Sequence, residues 1–269
     1  MTHNFDQRYS QPGDICLSGS YGSGYAGPTQ EFVDSFDYAD GHPFDVTDLA
    51  NRFITNANVG QRDPRLAASV LYDGAIWKGR ALECHEGGID QKYFPYGAVK
   101  TPGNSITGYY MRKLLDEQNT DFVLDGSYRP WIEFRYAEMM LIYAECLAAE
   151  SDWTGVYDTV HALRQVRFGR DDVYTAPVTD RDSALDLILK ERAVELCYEG
   201  HRFWDLRRTG RAAAVLDGKK YTGVLWKGGV PESVSCDMSA HRYPERFDRF
   251  PVPQSEISNN TLIEQNTGW

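Results

Sequence analysis

Between Leu185 and Arg208 the chain reads LDLILKERAVELCYEGHRFWDLRR, and this run constrains the fold most. It carries a ladder of carboxylates, a glycine break and an aromatic pair within one helical stretch. Asp180 or Asp182 caps a helix that runs to Tyr198, and helix resumes at His201 after Gly200. Glu191, Glu195 and Glu199 recur every four residues, so they line one helix face. Stacked carboxylates repel unless cations sit between them. Arg192, Arg202, Arg207 and Arg208 are near enough in sequence to supply those cations.

The segment before it has the same character. In EFRYAEMMLIYAECLAAE the residues Phe134, Ala137, Leu141, Ala144 and Leu147/Ala148 form an apolar stripe. Asp152 or Thr154 caps the next helix, whose apolar face is Val156, Val160, Leu163 and Val166 and whose stop is Gly169. Antiparallel helices packed small-to-large resemble a tetratricopeptide unit. Two such pairs fall short of a stable solenoid, so they must pack on something else. The expectation is a mainly α protein with three stretches. Residues 1–130 form a loop-rich lobe with short helices and strands. Residues 131–216 form the helix pairs, and 217–269 an extended, Pro-rich wrap around them. Within the lobe, Thr29 caps a short helix carrying Phe32, Val33 and Phe36, and Leu66 to Tyr72 reads as a short apolar strand closed by Asp73-Gly74.

The chain has 269 residues and a formal net charge of -11, and no basic stripe suits a nucleic-acid backbone. No run of 18 apolar residues exists, and the polar N-terminus is not a signal peptide. The five cysteines, Cys16, Cys84, Cys146, Cys197 and Cys236, include no CxxC and no zinc spacing. Cys146 and Cys197 lie in apolar helical stretches and read as buried thiols. No Glu has a His three residues on, as a carboxylate-bridged metal site would want. No metal or other cofactor is expected.

The ladder invites comparison with a glycosidase carboxylate pair, but structural ion-pair networks commonly mimic functional clusters. Glu191, Arg192, Glu195, Glu199 and Arg202 are therefore read as a structural ion network, with no catalytic residue. Phe203 and Trp204 read as packing at a helix crossing. The better binding candidates are rings in the lobe, set among Gly, Pro and Asn, because ligand sites concentrate on loops held by a rigid scaffold. Trp77 comes first, since Asp73, Gly74 and Lys78 around it suggest a surface loop. Tyr72, Tyr93, Tyr96 and Trp226 follow as candidate glycan contacts.

Six blocks, in order, resemble the SusD/RagB family: PTQEFVDSFDYADG at 28–41, QRDPRLAASVLYDG at 61–74, TGYYMRKLLD at 107–116, FRYAEMMLIYAECL at 134–147, ERAVELCYEGHRFWDLRR at 191–208, and FPVPQSEISNN with QNTGW at the end. The terminal block has Asn-Thr-Gly-Trp where Asn-Pro-Gly is usual. The resemblance implies a glycan-binding lipoprotein on the outer face of the outer membrane. It would hand its ligand to a SusC-like TonB-dependent transporter, catalyse nothing, and touch the membrane only through a lipid anchor. It also implies a longer chain with a signal and a lipidated cysteine, so this sequence is expected to be a C-terminal region. Family glycan contacts lie in variable loops, so no contact residue transfers from the blocks. The rival readings are a helical-repeat scaffold that docks a partner peptide and, more weakly, a glycoside hydrolase.

Overall fold

A computed structural model describes residues 27–91, 105–118 and 132–269. Helices dominate the second half. Helix α4 spans Tyr136–Ala149, α5 Trp153–Phe168, α6 Arg181–Glu195 and α7 His201–Arg208. Their limits follow from local chemistry. The Asp152 side chain accepts from Gly155 N and opens α5, and Gly169 closes it in the left-handed region at φ 65°. Asp180 and Ser183 form a reciprocal capping box on α6. After α6, Tyr198 and Gly200 both take positive φ, and the chain turns back as α7.

The connection between α4 and α5 is three residues long, so α5 folds back along α4. Leu141 and Ala144 of α4, Val156 and Val160 of α5, and Ala184 and Ile188 of α6 meet in one fully buried cluster. Burying each large aliphatic side chain contributes roughly 1.5–3 kcal/mol. The architecture is tetratricopeptide-like helix pairs carrying an irregular lobe.

The lobe has its own core. Short helices α1 (Gln30–Asp34), α2 (Leu49–Arg52) and α3 (Pro64–Ser69) surround three small antiparallel pairings. Strand β1 (Val70–Leu71) pairs with β4 (Tyr110–Met111), β2 (Ile76–Trp77) with β3 (Arg80–Ala81), and β5 (Thr222–Lys227) with β6 (Val230–Ser235). The expected strand over Leu66–Tyr72 is thus mostly helix. Asp63 caps that helix by accepting from Arg65 N, with Pro64 in its first turn, and only Val70 and Leu71 are extended.

The C-terminal stretch also departs from a simple wrap. Val224 and Trp226 of the β5–β6 hairpin are buried in the lobe core, together with Val33, Phe36, Leu66 and Tyr109. Gly108 makes this docking possible. It sits at φ 80°, and a Cβ there would lie 2.1 Å from the Val224 carbonyl oxygen. Beyond the hairpin, Tyr243 and Phe247 pack against Leu206 and α8 (Ala212–Leu216), and the last helix is α9 (Gln254–Asn259).

Candidate functional site

The rings expected to face a ligand go inward. Trp77 is 0% exposed and lies in the lobe core with Leu66, Val70 and Leu82. The surface turn around it is real: Gly74, Lys78 and Gly79 all have positive φ. The pleat decides which neighbour faces water. Successive strand residues point to opposite sides, and Ile76, at 60% exposure, takes the outer one. Tyr72 and Trp226 are buried in the same core, and the Tyr72 hydroxyl donates to Asn56 Oδ1 at 3.2 Å. These three rings are structural as they stand. Tyr93 and Tyr96 lie outside the described residues.

The carboxylate ladder forms a buried seam between lobe and helices. Glu191 accepts from Arg65 of α3 and, at 3.0 Å, from Arg164 of α5. Glu195 accepts from Arg135 and Arg167 at 2.7 Å each and from Arg65 at 3.1 Å. Glu199 accepts from Lys113 at 2.5 Å and from Arg135 at 2.8 Å. The cations therefore come from elsewhere in the chain, not from the arginines nearest in sequence. Arg192 serves a neighbouring cluster, donating to Asp205 at 2.8 Å. Arg202 donates to the Leu189 carbonyl at 3.2 Å and, among the described residues, pairs with no carboxylate. It stands outside the network it was expected to join. Arg208 bridges Glu145 and Asp205.

Burial raises the pKa of Glu195, but hydrogen bonds from Arg167 and Arg135 and the charge of Arg65 outweigh it and hold the carboxyl at about 2. Glu199 is lowered for the same reasons, its burial overcome by Arg135 and Lys113. A glycosidase acid needs a raised pKa, so these two carboxylates have the wrong sign for proton donation. Every ladder oxygen already accepts from a cationic side chain.

Exposed rings occur instead on α7. Leu206 and Asp205 face inward, so the helical period turns Phe203, Trp204 and Arg207 outward. Trp204 is 55% exposed, Phe250 is as open, and Phe203 is somewhat less so. The expectation that Phe203 and Trp204 fill a helix crossing is corrected: that contact is polar, made by Arg192 and Asp205. The Arg207 guanidinium lies 4.2 Å from the Phe250 ring centroid and 4.9 Å from that of Phe203. Its Nη2 also donates to the Asp248 carbonyl. The result is an aromatic shelf held in place by a cation. A single sequence cannot reveal it, because Phe250 is distant in the chain. A second open surface lies on α4, where Tyr136, Met139, Ile142 and Tyr143 are all exposed.

A family model for the SusD family matches residues 2–269. A SusD-like protein of Formosa agariphila is 36% identical over 103 residues, 35% of this chain and 20% of that protein. A solved SusD-like protein from Bacteroides fragilis superposes on 100% of this chain and 50% of its own, with a TM-score of 0.74 and 26% identity. Another solved structure from Bacteroides fragilis, described as a SusD-like carbohydrate binding protein, covers 88% of this chain and 48% of its own, with a TM-score of 0.65 and 28% identity. The chain thus spans about half the length of these solved structures.

Proposed function

The chain belongs to the SusD family, and on that premise we propose that it captures an oligo- or polysaccharide at the cell surface. It then passes the glycan to a SusC-like TonB-dependent transporter in the outer membrane. The observation that carries this reading is the family match along the whole chain, supported by the likeness to a carbohydrate-binding relative. Capture needs no bond to break, in keeping with the lowered carboxyls of Glu195 and Glu199. Attachment to the outer membrane is through a lipid anchor. Among the described residues no helix is long and apolar enough to cross a membrane.

The α7 shelf is a ring platform suited to this task. Sugars present C–H faces that stack on Trp and Phe, and hydroxyls that need polar partners. Trp204, Phe203 and Phe250 supply the former, and Arg207 beside them supplies a donor. Tyr93 and Tyr96 remain proposed contacts.

Trp204→Ala should leave stability within about 0.5 kcal/mol of wild type, because the ring is largely in water. It should weaken oligosaccharide binding by roughly 1–3 kcal/mol, by analogy with base stacking on aromatic side chains. Isothermal titration against a glycan panel checks both parts when paired with thermal unfolding. An unchanged affinity would rule out the shelf and move the search to Tyr93 and Tyr96. The exposed α4 face favours the scaffold reading as the second choice, since a contiguous apolar surface commonly marks a protein contact. That reading predicts peptide binding with no response to sugar.

A further inference from the structure

A pocket of about 270 Å³ lies away from the α7 shelf, between the α1–α2 loop, the end of α5 and the first turns of α6. Its walls are tied together. The Asp40-Gly41 turn presses on the backbone at Val173 and Tyr174, where a Cβ on Gly41 would lie 2.6 Å from the Tyr174 carbonyl oxygen. Tyr174 N donates back to the Asp40 carbonyl at 2.8 Å. Arg164, itself buried, donates to the Gly41 carbonyl at 2.8 Å, the Tyr174 carbonyl at 3.1 Å and Asp37 at 2.9 Å. One guanidinium thus staples both walls and the floor, so the cavity is formed before any ligand arrives. A preformed pocket spares a ligand the cost of ordering it.

The lining is mostly apolar, with Pro43, Pro177 and Leu187 among its residues. Two polar groups keep unused capacity. Lys190 spends one N–H on Asp37, and among the described residues no other acceptor engages it. Asp186 gives one oxygen to Arg211, and nothing among the described residues donates to the other. Both stand on α6 four residues apart, on one face. Among the lining residues the formal charges cancel: Asp37 and Asp186 oppose Arg164 and Lys190. A charged ligand would lose its hydration without gaining a counter-ion. A neutral ligand that both accepts and donates hydrogen bonds, and that has an apolar face, fits all three features. The volume falls just below the roughly 300–1,000 Å³ of sites for drug-sized ligands, so the occupant is smaller than those.

We propose that this pocket binds one neutral sugar residue. The ring's C–H face lies against Pro43, Pro177 and Leu187. One hydroxyl accepts from Lys190, and another donates to Asp186. This rests on the glycan reading above and adds to it a second, half-open subsite that takes a single residue.

The test follows free glucose, galactose, mannose, N-acetylglucosamine and glucuronate by ligand-observed NMR at millimolar concentration on the whole chain carrying Trp204→Ala, which silences the α7 shelf, and an oligosaccharide panel on the unsubstituted chain. At least one neutral hexose is expected to bind, with glucuronate weaker. Lys190→Met should weaken that hexose at least tenfold, and Pro177→Trp, which plugs the mouth from an exposed position, should abolish binding. Thermal unfolding verifies that each variant is folded, and the plug variant keeps the test open if Lys190→Met is not. Binding that survives both folded variants, or binding of glucuronate alone, overturns the proposal. If oligosaccharides bind the chain but no monosaccharide does, the pocket fails while the glycan reading stands. If neither binds, both fail.

Discussion

Glu195→Ala is expected to cost the fold about 3–5 kcal/mol, the usual loss when one partner of a buried ion pair is removed. Three arginines converge on this carboxylate, and the substitution leaves them facing one another. Arg65 keeps Asp63 and Glu191, and Arg135 keeps Glu199, but these are already paired, and Arg167 keeps no other carboxylate among the described residues. The pH dependence supplies an independent check. The carboxyl is held at about 2 in the folded protein, below its ordinary value of 4.5. A lowered pKa contributes stability above the unfolded value, and that stability is lost as pH falls from there toward the folded one. At about 1.4 kcal/mol per unit, the shift corresponds to about 3 kcal/mol, near the mutational figure. Urea unfolding of wild type and variant should therefore differ most at neutral pH and converge between about pH 4.5 and 2. A gap that ignores pH would mean the charge is not what stabilises the seam. Intact stability with loss of a hydrolytic activity would instead revive the enzyme reading.

The seam also shows how far one sequence can be read. The ladder is legible at Glu191 and Glu195, spaced at the helical repeat within α6, whereas Glu199 lies past the end of that helix and joins the seam from the turn. The partners were not legible. Arg65 and Lys113 reach it from the lobe, 126 and 86 residues away in the chain. Local proximity pointed instead to Arg192 and Arg202, which turn to other acceptors. Helix limits were legible for the opposite reason: Asp152, Asp180 and Gly169 act on backbone groups within a turn of themselves. Asp63-Pro64 was a helix start of the same kind, but the apolar run after it suggested a strand. Facing was the weakest inference. Cys146 sits in an apolar stretch yet is exposed, because α4 carries apolar residues on its open side as well as on the buried Ala137–Leu141–Ala144 stripe. The β5–β6 hairpin joins the lobe core through the Gly108 contact, which no pattern within residues 217–269 could announce.

Trp77→Ala brings these points together, because its expected effect is the reverse of what a surface ring would give. Removing a fully buried aromatic side chain typically costs about 3–5 kcal/mol, part lost transfer energy and part the cavity left behind. Trp77 is the largest of the fully buried side chains in the core. A marked fall in the thermal midpoint is therefore expected. Sugar affinity, measured at a temperature where the variant is still folded, should match wild type, since a ring with no exposed surface cannot stack on a ligand. Trp204→Ala should give the mirror image, with affinity reduced and stability kept. If Trp77→Ala instead melted as wild type does and lost its sugar affinity, the ring would have to swing out of the core on binding. The lobe would then be the glycan site after all, with its turn at Lys78 and Gly79 as the moving part. Amide exchange at residues 74–82, with and without oligosaccharide, separates the two cases: a static core gives the same protection in both.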